Sequence, residues 1–155
     1  MGSSTGGFTQ VLLASGAAHV DAVDVGTDQL HPTIRGDRRV MSYEQTDIRD
    51  FPQKSLYYII VCDASFISLA QILDAILLHA EKSTDIILLF KPQFEVGKEH
   101  LRKTGVPKDE MRIVLAMQVF EECVKERNCC VLGKEKSCLI GEAGNQEWVY
   151  WIKKI

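Results

Sequence analysis

Two stretches of this chain, Leu56 to Cys62 and Ile86 to Phe90, are apolar at every position, and each closes on a charged residue, Asp63 and Lys91. A strand with apolar side chains on both faces has to be covered on both, which is the habit of a parallel sheet flanked by helices. His19 to Val23 is a shorter apolar-rich run that ends at Asp24, and Arg39 to Glu44 is another strand candidate. Gln29 to Arg35 is weaker, being interrupted by Pro32. Helical spacing lies between the runs. From Gly7 to Ser15 it puts Phe8, Val11 and Leu12 on one face and stops at Gly16, a residue suited to a helix C-terminus. Leu69 to Ala80 repeats the pattern. Asp109 to Arg127 reads as a long amphipathic helix, with Asp109 as N-cap and Met111, Val114, Leu115 and Val119 facing inward. Two last strands, Cys129 to Lys134 and Glu147 to Ile152, close the sheet as a hairpin-like pair across Gly141 to Asn145. Strands alternating with helices at these intervals define a doubly wound, mostly parallel α/β sheet. With 155 residues, 46% of them apolar, the chain is read as one domain over residues 1–155.

In an open parallel sheet, ligands bind beyond the carboxyl ends of the strands, so the polar residues that end the apolar runs are the ones to weigh. These are Asp24, Asp47, Asp63 and Lys91. The loop Gly2-Ser3-Ser4-Thr5-Gly6-Gly7 leads into the first helix, and its backbone N–H groups can approach a ligand without obstruction by Cβ. An acid at Asp24, after the next strand, can accept ribose hydroxyls. The chain lacks G-x-G-x-x-G and a P-loop, which leaves a small adenosyl cofactor without a pyrophosphate. Asp63 and Lys91 end neighbouring strands, either as an edge ion pair or as a lysine tuned by carboxylates to take or hold a proton. Pro92 restricts Lys91 to extended backbone and aims it out of the strand end. Glu147, at the start of the last strand, is a candidate third member.

Net charge is −3, so no global basic field advertises nucleic acid. The basic groups gather instead in residues 91–108, read as a long functional loop, where Lys98, Arg102, Lys103 and Lys108 form a candidate phosphate-binding patch. Five cysteines without a C-x-x-C pair point to reduced thiols in a cytoplasmic protein, and no metal is expected. The apolar runs fall far short of the roughly 20 residues that cross a bilayer, so no membrane partner is expected.

The strings GSSTGGFT, AVDVG, TDIRD, CDASFISL, KPQFEVGK and GNQEWVYWI, in this order, resemble the TlyA family of hemolysin-like, FtsJ-like ribosomal RNA methyltransferases over nearly the whole chain. The resemblance implies a Rossmann-like methyltransferase fold and S-adenosylmethionine-dependent 2′-O-methylation of ribosomal RNA, with ribosomal RNA or ribosomal subunits as partners. It assigns Gly2, Ser3, Thr5, Gly6, Gly7, Asp24, Asp47 and Asp63 to the cofactor. It also places the second, third and fourth members of a Lys-Asp-Lys-Glu tetrad at Asp63, Lys91 and Glu147. Relatives carry a central strand before the position of Gly2, the tetrad's first lysine and an N-terminal RNA-binding domain. The expectation is therefore an N-terminally truncated chain with sheet edges open to self-association, and, if these 155 residues are the whole molecule, with weak cofactor binding and little or no catalysis. The competing readings are a non-catalytic RNA-binding module and a membrane-lytic protein, the latter lacking any visible membrane segment.

Overall fold

The two apolar runs form neighbouring strands of a mixed sheet, the first of them at its edge. The computed structural model describes residues 1–53 and 55–155, with every side chain among them except that of Glu142. In chain order the elements are α1 (Gly7–Ala14), β1 (Val20–Val23), α2 (Pro32–Arg35), β2 (Val40–Tyr43), β3 (Tyr57–Cys62), α3 (Leu69–Leu78), β4 (Ala80–Phe90), α4 (Pro92–Glu95), α5 (Glu110–Glu126), β5 (Cys129–Ile140) and β6 (Gln146–Lys154). The doubly wound α/β class holds, and the strands divide into two sheets. β1 pairs with β2 in parallel, Val20 opposite Val40 through Val23 opposite Tyr43. The larger sheet runs β3-β4-β6-β5, parallel between β3 and β4 and antiparallel between β4 and β6 and between β6 and β5. Parallel pairing thus governs the first half of the chain and antiparallel pairing the second.

The main core lies where α3 and α5 pack on β4 and β6. Leu73, Ile76, Ile86, Leu88, Phe90, Tyr150 and Ile152 are fully buried, each contributing about 1.5–3 kcal/mol of apolar transfer. Phe90, Phe120 and Tyr150 form an aromatic trio with centroids 5.2 to 5.8 Å apart. The hydroxyl of Tyr150 donates to Glu121 at 2.9 Å, so its polar end is satisfied.

Three inward assignments need correction. On α5 the buried positions are Met117, Phe120 and Val124, with Ile113 packed beside them, while Met111, Val114, Leu115 and Val119 are exposed. The helix carries two apolar stripes, and only one can face the sheet. The stripe holding Phe120 wins because its ring joins the trio. On α1, Val11 is exposed and Thr9 is buried, with Phe8 and Leu12 half-buried. β3 is covered only toward its C-terminal end, and Tyr58 is 85% exposed. β4 also begins earlier than its apolar run suggests, at Ala80. The polar Glu81-Lys82-Ser83 segment is accommodated by a register shift between Tyr57 and Ile59. Buried Thr84 accepts the Glu81 N–H at 3.0 Å there and donates to the Tyr57 carbonyl at 2.5 Å.

β1 and β3 share no ladder among the described residues, and a seam separates them. Met1 to Ser3 lie across its end. The Met1 amino group donates to Val61 at 2.9 Å, the Asp63 N–H donates to the Met1 carbonyl at 3.1 Å, and the Ser3 N–H donates to Val23 at 3.3 Å. Further along, Tyr57 donates its hydroxyl to Asp21. Between these links lies an apolar cleft lined by Phe8, Leu12, Val20, Ile59, Val61 and Ile76.

Candidate active site

Parallel pairing of β3 and β4 sets Cys62 opposite Leu88, which brings the next polar residues of both strands to one rim. Lys91 Nζ lies 2.6 Å from Asp63 Oδ1 and donates to Ser65 Oγ at 2.9 Å. The lysine side chain is only 12% exposed and that of Asp63 34%. The ammonium is thus held between an acid and a hydroxyl in a partly dry setting. Lys91 has extended backbone, φ −111° and ψ 99°, and Pro92 opens α4 directly behind it.

Each side chain of α4 beyond Pro92 reaches another part of the rim. Gln93 donates to Glu147 Oε1 at 3.1 Å, and Glu147 is buried at the start of β6. Gly141 sits so close that a Cβ there would stand 2.6 Å from the same oxygen. Glu147 therefore joins the rim through Gln93. Phe94 meets the ring of Phe66 at 5.0 Å. Glu95 accepts the hydroxyl of Ser68 at 2.6 Å and the N–H of Leu69 at 2.8 Å. Burial pushes its carboxyl above the usual range, against those two hydrogen bonds.

On the β1 side, Asp24 accepts the N–H of Ser4 at 2.7 Å with one oxygen and that of Gly26 at 2.7 Å with the other. Gly2 has φ +59°, and a Cβ there would strike the Asp63 carbonyl, so the loop passes tightly against the end of β3. Asp47 is engaged by Arg49 through its backbone N–H at 2.9 Å and its guanidinium at 2.9 and 2.6 Å. The Arg49 hydrogen bonds hold its carboxyl down at about 2.

Gly2, Asp24, Asp47 and Asp63 surround one cleft with about 1000 Å³ of empty space open to solvent. Ser3 lines the seam cleft instead. Thr5, Gly6 and Gly7, assigned to the cofactor by resemblance, lie off the cleft wall. The reason is local: the Gly6 N–H turns back to the Ser3 carbonyl at 2.8 Å, and a Cβ on Gly7 would meet nothing within 4 Å. The cleft residues not singled out from the sequence include Gly26, Thr46 and Ile48. Phe66 went unassigned as well, although it is 90% exposed with φ +65°. Its only signal was membership of the string after Asp63.

Residues 92–108 are folded rather than structureless. After α4 comes a 3₁₀ turn, Lys98–His100, and then a tight reversal in which Leu101 pairs with Pro107. Lys98, Arg102, Lys103 and Lys108 are exposed on it, with Glu99 as the exposed acid. Lys108 also donates to the Glu99 carbonyl at 2.8 Å. Lys91 and Glu95 belong to the rim and not to this surface.

Strand-end charges over an open cleft occur in many α/β proteins. A model of the FtsJ-like methyltransferase family matches residues 1–154. The chain belongs to that family. It is 43% identical over 155 residues to the 23S rRNA (cytidine-2′-O)-methyltransferase TlyA of Campylobacter jejuni, covering 99% of this chain and 60% of that protein. It is 40% identical over 155 residues to the 16S/23S rRNA (cytidine-2′-O)-methyltransferase TlyA of Mycobacterium tuberculosis, covering 98% of this chain and 58% of that one. The chain thus spans about 60% of these relatives' length. A crystal structure from Lactococcus lactis, named as a hemolysin, matches with a TM-score of 0.94 at 36% identity over 100% of this chain and 76% of that one. Among the described residues of this FtsJ-like chain, no helix is long and apolar enough to cross a membrane. The FtsJ-like cleft is lined by the apolar side chains of Val23, Ile48, Ile67 and Ile72 and by an acid from each side of the seam, Asp24 after β1 and Asp63 after β3.

Proposed function

We propose that this chain is an S-adenosylmethionine-dependent methyltransferase domain acting on a ribose 2′-hydroxyl of ribosomal RNA. The observation that carries the reading is the Lys91 ammonium 2.6 Å from Asp63, an acid that lines the same cleft as Asp24. The cleft suits the cofactor's chemistry: carboxylates complement a positive sulfonium and ribose hydroxyls, and the apolar lining suits a purine. Asp24 would hold the ribose, Gly2 and Ser4 would border the amino-acid end, and the Asp47–Ile48 segment would flank the base. When bound, the cofactor supplies an electrophilic methyl group.

The chain's own residues supply the rest. Lys91, in its neutral form, accepts the 2′-hydroxyl proton at Nζ as that oxygen attacks, and Asp63 and Ser65 fix where Nζ sits. Gln93 and Glu147 hold the far side of the rim. Phe66 offers an exposed ring on which an unstacked base can lie, and Lys98, Arg102, Lys103 and Lys108 offer a surface for phosphates.

The test is transfer of labelled methyl from S-adenosylmethionine to ribosomal subunits isolated from cells lacking this modification, with the methylated position mapped. A 2′-O-methyl nucleotide that appears with wild-type chain and not with Lys91→Ala is the expected result. Saturated cofactor binding without any transfer would replace the reading with that of a binding module, and no cofactor binding at all would remove it.

A further inference from the structure

Segments 63–69 and 91–95 face each other in a ladder of three rungs. Lys91 meets Asp63 and Ser65 at the first, Phe94 meets Phe66 at the second, and Glu95 meets Ser68 and Leu69 at the third. We propose that Glu95 is a positioning residue for Lys91, closing the third rung so that the first keeps its geometry. The proposal rests on the reading of Lys91 as the proton acceptor.

Three observations argue against a role confined to capping α3. Ser68 already caps that helix, its hydroxyl accepting the Ala70 N–H at 3.3 Å. Glu95 comes to the same turn from 27 positions away, and a half-buried carboxylate carries a desolvation cost that a local cap avoids. The loop it grips contains Phe66 at φ +65°, a conformation that a side chain with a Cβ rarely adopts and that persists only where neighbours enforce it. α4 is a single turn, so it transmits a constraint at Glu95 to Lys91 with little slack. Lys91, α4, Glu95 and the loop back to Asp63 form a closed ring fastened at both ends.

The experiment compares wild type with Glu95→Ala, Glu95→Gln and Glu95→Asp. Gln retains one acceptor for the Leu69 N–H, whereas Asp keeps the charge but withdraws it by one methylene. In Glu95→Ala and Glu95→Asp, kcat for methyl transfer falls about 10- to 100-fold, as misplacement on the ångström scale does, while KM for S-adenosylmethionine stays within about twofold. Glu95→Gln recovers most of the loss. A second readout does not need activity: the ¹H–¹⁵N signal of the Lys91 ammonium, protected from exchange by Asp63 and Ser65, is lost in Glu95→Ala and Glu95→Asp and retained in Glu95→Gln. If Glu95→Ala does not fold, Glu95→Asp carries the test. An unchanged ammonium signal in the folded variants overturns the proposal. Should wild type transfer no methyl, the functional reading fails while the ammonium signal still decides the positioning claim.

Discussion

Lys91 and Asp63 were recognisable in the sequence because the end of an apolar run is a position that physical chemistry marks. Two neighbouring parallel strands must deliver their next residues to the same rim. Ser65 and Gln93 carried no such mark, since their contacts depend on how a loop and a single helical turn fold back. At this scale, Lys91→Ala is expected to lower methyl transfer by at least about a hundredfold and to leave cofactor affinity within about threefold, checked by initial rates and calorimetry. The acids divide by partner. Asp37 and Asp47 are held down at about 2 by the arginines two residues on, Arg39 and Arg49. A carboxyl lowered on folding stabilises the fold above its unfolded value of 3.8 and loses that contribution as pH falls through about 2. Carbon-detected NMR titration should show both acids still ionised at pH 3. Midpoints near 4 would mean that the arginine contacts do not persist in solution.

Among the elements, α5 separates what hydrophobic spacing can tell from what it cannot. Its existence, length and Asp109 cap followed from the sequence, and the Asp109 side chain accepts the Met111 N–H at 2.9 Å. Its orientation did not, because Met111, Val114, Leu115 and Val119 form as regular a stripe as the buried one. Only the fit of a large ring between Phe90 and Tyr150 decides between them, and that fit depends on strands far away in sequence. Phe120→Ala is therefore expected to destabilise by about 3–5 kcal/mol, against less than about 1 kcal/mol for Leu115→Ala, read from denaturant unfolding. A larger loss from Leu115→Ala than from Phe120→Ala would put the helix in the other orientation. β4 teaches the same lesson: the Thr84 bridge to Tyr57 that carries the strand through its polar start is a tertiary contact, invisible to a periodicity argument.

For the whole molecule, a net charge of −3 coexists with a concentrated basic surface between Lys98 and Lys108. Salt is the discriminating variable. Replacing Arg102 and Lys103 together by alanine should weaken RNA binding most at low ionic strength and flatten the dependence of log affinity on log salt by about 1.5, with unfolding unchanged. An unaltered slope would show that the phosphates are held elsewhere. The division of the strands into two sheets has a consequence of its own. Asp24 stands on one side of the seam and Asp63 on the other, and among the described residues no ladder joins the two sides. A ligand spanning those acids acts as a stitch as well as a substrate, so part of its affinity is spent on drawing two half-shells together. Amide exchange in β1 and β2 should therefore slow on cofactor addition far more than in β4 and β6, as a hinge slows when it is pinned.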